Sequence, residues 1–313
     1  MGAVATDVTV GAVAAGLRGH RRDVAGGAFA AAMLGALLLS LLILLALLWE
    51  VVRTGLPVLV DRGPGFLTAG PSSVPADAGI RLALIGSFVL VGIVALVAFP
   101  LGVGAAIYLE EYARDTRVNR FVATNVRNLA GVPSIVYGIL GLVIFVGVLN
   151  RIVDIRDTGS LLSGGLTLSA LVLPIVIITT AEALRAVPRS LREAAYGVGA
   201  TRWEVIRHHV VPAAAPGIVT GTVLSLARAF GETAPLLLVG AVTGFFTTGN
   251  AGALERLLRA PFSALPVQIL AWTTLPNEAF KALAAAAIVV MMVILLAVNG
   301  VAIWLRNRYE RNW

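Results

Sequence analysis

Glu193-Ala-Ala-Tyr-Gly-Val-Gly-Ala-Thr-Arg-Trp-Glu-Val-Ile-Arg-His-His-Val-Val-Pro212 is the longest patterned polar stretch in a chain that is otherwise mostly apolar. Its punctuation reads as two short helices joined by a bend. Ser190 can cap the first helix with Glu193 reaching back from the third helical position, and Thr201 and Glu204 repeat the arrangement for the second. Gly199 lies between them, where a left-handed turn costs a glycine least. Pro212 bars simple continuation of the second helix. Trp203, Ile206 and Val210 fall at helical spacing on one face, while Arg202, Arg207 and His208 point elsewhere.

Outward from this stretch the chain changes character. It has 313 residues, of which 58% are hydrophobic and 13% charged, and a mean hydropathy of +0.91. A soluble chain carries about a quarter charged residues. Several apolar runs reach the roughly 20 residues that cross a bilayer as helix. The expectation is an all-α polytopic membrane protein. There is no cysteine, which excludes a disulfide framework and a thiolate metal site. The net charge of +7 comes almost wholly from arginine, Lys281 being the sole lysine.

Hydropathy predicts six spans, at about 29–52, 80–109, 129–149, 166–184, 216–242 and 282–305. The second is long for a straight crossing, so Pro100 and Gly102 are expected to kink it. Residues 1–28 read as a disordered tail with a basic flank, 29–79 as a first span with a Pro-rich irregular outer loop, and 80–313 as the main helical core. The apolar run after the tail is too long for a signal peptide and is taken as a retained span. The stretch 260–270 could dip into the membrane surface. If the N-terminus is cytoplasmic, fifteen Arg lie inside and eight Arg or Lys outside, with Arg228 within a span. That bias places both termini and the 185–215 loop in the cytoplasm, and topology rather than nucleic acid accounts for the charge.

Enzyme chemistry finds little support. A P-loop needs Gly-Lys-Ser/Thr, and the sole lysine follows Phe280. The histidines His20, His208 and His209 have no cysteine or carboxylate cluster beside them, so no metal site is expected. Charges inside spans are costly and mark interiors or pathways. Arg228 is expected about 18 Å from either end of its span, with Glu232 one turn on and Pro235 loosening the helix beyond. Glu182 sits at the end of the fourth span. Arg228 and Glu232 either neutralise each other to hold helices together or line a path for an oxyanion, which an Arg fork matches bidentately.

The motifs carry a resemblance. ATP-binding-cassette (ABC) importer permeases have a cytoplasmic loop of the form Glu-Ala-Ala, three residues, Gly, nine residues, Ile-x-Leu-Pro. Glu193, Ala194, Ala195, Gly199 and Pro212 match it; His209 stands where the family usually has Ile, and Val211 where it has Leu. The loop, Trp203 included, would dock on an ATPase subunit; a plainer reading makes Glu193 only a capping residue. Pro100–Tyr112, Gly131-Val-Pro-Ser-Ile-Val-Tyr-Gly138 and Arg228-Ala-Phe-Gly-Glu-Thr-Ala-Pro235 look like the PstA-type permease subunit of phosphate importers. The resemblance covers about residues 80–310. It implies a type I ABC importer permease fold and Arg228, Glu232 and Glu182 along a phosphate pathway. It also implies no cofactor on this chain, with ATP and Mg²⁺ held by a partner. The partners implied are a second permease (PstC-type), two ATPases (PstB-type) and an extracytoplasmic phosphate-binding protein (PstS-type), at the cytoplasmic (inner) membrane. Rival readings are a permease for another oxyanion or small solute, a secondary transporter, and a purely structural subunit. A secondary transporter gives no reason for the Glu193–Pro212 pattern.

Overall fold

In the computed structural model of the protein, residues 24–148, 151, 159–242 and 261–309 are described. They are helical almost throughout. Helix α1 runs Val24–Arg62 and α2 Pro64–Thr68. Helix α3 spans Arg81–Ile107 and passes into a π-helical turn at Tyr108–Tyr112. Helices α4 (Arg117–Ala130) and α5 (Ser134–Gly141, with a π turn at Leu142–Val146) follow, and then α6 (Leu161–Arg185). Helix α7 is Arg189–Gly197 and α8 Arg202–Val205, which continues through a π turn at Ile206–Val210 into α9, Val211–Gly231. Helices α10 (Ala234–Leu238), α11 (Leu265–Thr274) and α12 (Glu278–Tyr309) complete the order.

Five helices are long and apolar enough to cross a membrane, and the count reaches six when the bent pair α4–α5 is taken as one span. Three boundaries depart from the sequence reading. Helix α1 runs ten residues past the expected end at 52, straight through Pro57, and α2 carries the helix to Thr68. The irregular loop expected here therefore shrinks to residues 69–80, where the Arg62 guanidinium donates to the carbonyls of Pro75 and Ala78 at 3.2 and 2.7 Å. Helix α3 is continuous through Pro100, and its irregularity falls instead at Tyr108–Tyr112. The expected third span is replaced by a pair of helices meeting at 102°, not one run from 129 to 149. Residues 24–28 of the expected disordered tail already belong to α1, and residues 1–23 and 243–260 lie outside the described residues.

The chain divides into two units, one up to Val51 and one from Val52 onward. In the first, α1 exposes Leu and Ile all round, as a lipid-embedded helix does. The second is built on α3 and α6. Apolar burial drives helix association little in lipid, so close approach of small residues has to supply van der Waals contact. A Cβ on Gly165 would lie 2.6 Å from the Ile93 side chain, and one on Gly102 2.7 Å from that of Val176. Both pairs keep almost the same offset in number, so α3 and α6 run parallel. Helix α9 faces α6 through Gly217 against Ala183 and Gly221 against Thr179, an antiparallel register. The ends of α3 and α6 and the start of α8–α9 therefore lie together. Leu90, Val94, Leu168 and Val172 fill the α3–α6 seam. The expected surface dip near 260–270 is α11, whose Leu265, Val267 and Trp272 are buried.

Candidate functional site

The 185–215 loop folds as a bend between helices, with two changes from expectation. Pro188, not Ser190, precedes the first turn of α7, and no side chain caps it. A proline's fixed φ suits the edge of a helix, which moves the start one residue ahead of the serine cap. The second cap forms as expected: Glu204 accepts from the Thr201 backbone N–H at 2.8 Å, and the Thr201 hydroxyl accepts from the Glu204 N–H at 3.4 Å. Gly199 has φ +87° with open space around it. Pro212 does not end the second helix. The π turn at Ile206–Val210 ends two residues before it, so the carbonyl four residues back, His208, already belongs to a widened ladder that does not need the missing N–H.

Val205 and Val210 are buried in one cluster with Leu184, Val187 and Ala195, and Ile206 is buried as well. Trp203 leaves that face: it is 58% exposed, with the Arg207 guanidinium 6.0 Å from its ring. Glu193, Ala194, His209 and Pro212 are exposed and Ala195 is buried. Around the Gly199 bend, Tyr196, Val198 and Trp203 present large apolar surface outward.

Three arginines of this loop grip the end of α3. Arg185 pairs with Glu110 through both Nε and Nη2. Arg192 Nη2 donates to Glu111 at 2.7 Å and to the Leu184 carbonyl at 2.9 Å, and its Nη1 to the Val187 carbonyl at 2.8 Å. Arg202 donates to the Glu111 carbonyl and stacks 5.1 Å from the Tyr112 ring. The Arg192–Glu111 pair is the most enclosed, with side chains 20% and 10% exposed. Sequence reasoning counted these arginines for topology and missed the clamp. The adjacent acids Glu110 and Glu111 closing a long apolar run were the available signal.

Arg228 and Glu232 do not sit at mid-helix. Helix α9 stops at Gly231, and Glu232 is its extended C-cap. Pro235 starts α10 from its first turn, where its missing N–H costs nothing. Arg228 Nε lies 3.3 Å from Glu232 Oε1, with side chains 52% and 16% exposed. The arginine thus meets the negative end of the helix dipole and a carboxylate together. Glu182 is elsewhere. It lines a cavity of about 360 Å³ with Glu110, Arg114, Arg127 and Arg185. Because Ala183 faces Gly217, it lies roughly 15 Å along the bundle from Arg228. Among the described residues no cluster of three or more potential metal ligands occurs.

The described helices have the type I ABC importer permease fold. A solved bacterial alginate ABC transporter shares that fold, with TM-score 0.61 at 18% identity over 86% of this chain and 92% of that one. The family described as "Binding-protein-dependent transport system inner membrane component" matches residues 98–311, and the chain belongs to it. The probable ABC transporter permease protein YqgI of Bacillus subtilis is 36% identical over 57% of this chain; the alignment spans 58% of YqgI's own length. The phosphate transport system permease protein PstA 1 of Mycobacterium tuberculosis is 33% identical over 85% of this chain and 84% of its own.

Proposed function

We propose that the chain is the permease subunit of an ATP-driven importer carrying inorganic phosphate across the cytoplasmic membrane. The observation that carries this reading is the alignment with PstA 1 across 269 residues. The Arg228–Glu232 pair agrees with it chemically. A guanidinium fork suits a tetrahedral oxyanion, and a carboxylate on the same turn keeps the anion from binding too tightly to leave. Phosphate reaching Arg228 displaces the Glu232 contact and passes on when the bundle reopens to the other side. Glu182 meets the anion further along the path.

The outward face of the 196–203 bend is the docking surface for an ATPase subunit, which holds ATP and Mg²⁺. The assembly has a second permease, two ATPases and an external phosphate-binding protein. The arginine bias sets the loop and both termini in the cytoplasm. Uptake of labelled phosphate by the reconstituted assembly tests the reading. ATP-dependent uptake that excess sulfate leaves intact is expected; uptake of sulfate in its place would move the chain to another oxyanion.

A further inference from the structure

We propose that α4 lies in the membrane interface and binds anionic phospholipid headgroups. The parallel run of α3 and α6 requires the chain between them to cross the bundle. The bent pair α4–α5 makes that connection, and α4 stands at 102° to α5, across the run of the bundle helices. It lies beside the Arg185 end of α6, where Asn119, Arg120 and Arg127 share a cavity wall with Glu182 and Arg185.

The side chains of α4 are sorted for such a position. At 100° per residue, Val118, Val122 and Leu129 fall within about 40° of one another, with Phe121 beside them. All four are exposed, Val118 and Phe121 by 68% and 69%. Arg120 and Arg127 lie nearly opposite. The helix carries three arginines and no acid. Arg120 pairs with Asp115 at 3.0 Å in an open position, and Arg117 and Arg127 make no ion pair among the described residues. An apolar face backed by three arginines, with no acid on the helix itself, is the pattern that holds helices on anionic membranes.

The absence of native cysteine allows single labels. Val122→Cys and Thr124→Cys, two residues apart and on nearly opposite sides of the helix, each take an environment-sensitive fluorophore. The protein, with whatever subunits co-purify, is placed in nanodiscs containing shallow spin-labelled phosphatidylglycerol or phosphatidylcholine. The label at 122 should be quenched more than that at 124. The anionic probe should quench it more than the zwitterionic one, with enrichment of about fivefold per engaged arginine. Adding Arg117→Gln, Arg120→Gln and Arg127→Gln should remove the anionic preference and leave the zwitterionic quenching at 122. An unquenched label at 122 means that protein covers this face and overturns the proposal. Equal quenching by the two probes with the arginines intact overturns the anionic selectivity, whether or not the triple variant inserts.

Discussion

A guanidinium in the last turn of a helix already interacts well with the carbonyl ends, and Glu232 adds an opposite charge at 3.3 Å. Arg228 is therefore held in place without a ligand, and its role separates by substitution. Arg228→Gln should abolish phosphate uptake while the complex assembles, and Arg228→Lys should keep partial uptake at best, because the planar fork is lost. If the pair served only mutual neutralisation, Arg228→Gln combined with Glu232→Gln would transport normally; no uptake is expected from that double variant. Gly199 makes a different demand. Its φ of +87° costs an L-residue roughly 1–2 kcal/mol, although space around it is free. A bulky residue should shift the bend rather than clash. Gly199→Leu should leave ATP hydrolysis running while uptake falls, read as ATP consumed per phosphate carried.

The loop and the end of α3 behave as one element because of the arginine clamp. Arg192 satisfies the Glu111 carboxylate, the Leu184 carbonyl in the last turn of α6 and the Val187 carbonyl just beyond that helix at once. Arg192→Ala should lower stability by about 2–3 kcal/mol, read as a drop in the melting temperature of the purified complex. Reversing the charges with Arg192→Glu and Glu111→Arg should not rescue it, since a carboxylate at 192 cannot donate to the Leu184 and Val187 carbonyls. Full rescue would show that charge pairing alone matters. The π turns at Tyr108–Tyr112 and Ile206–Val210 both border this clamp. Turns of this kind recur at functional sites.

Parallel α3 and α6 with antiparallel α9 place the 113–116 and 186–201 connections at one end of the bundle. An impermeant thiol reagent tests which side of the membrane that end faces. Applied outside intact cells, it should label a cysteine at Gly70, in the short loop at the other end, and spare one at Ser190. The reverse pattern would invert the topology and remove the ATPase docking role of the loop.

Composition and hydropathy alone determined the class of molecule, because every backbone group in lipid must be paired within a helix and roughly 20 apolar residues per crossing cannot be disguised. The Thr201–Glu204 cap and the Gly199 turn were equally legible, being settled by residues three apart or fewer. The stretch expected to dip into the membrane surface forms α11 with a largely buried first half, which no local pattern announced. Tertiary structure decided where interruptions fall. Pro57, Pro100 and Pro212 read as breaks, yet helices run through all three, since neighbouring turns and packing absorb a missing N–H. The break that matters comes at Glu232, ahead of Pro235, because Pro235 opens a new helix. The clamp, the separation of Glu182 from Arg228 and the 102° turn before α5 depend on residues tens of positions apart. No local pattern encodes such contacts; they exist only once α3, α6 and α9 have closed on one another.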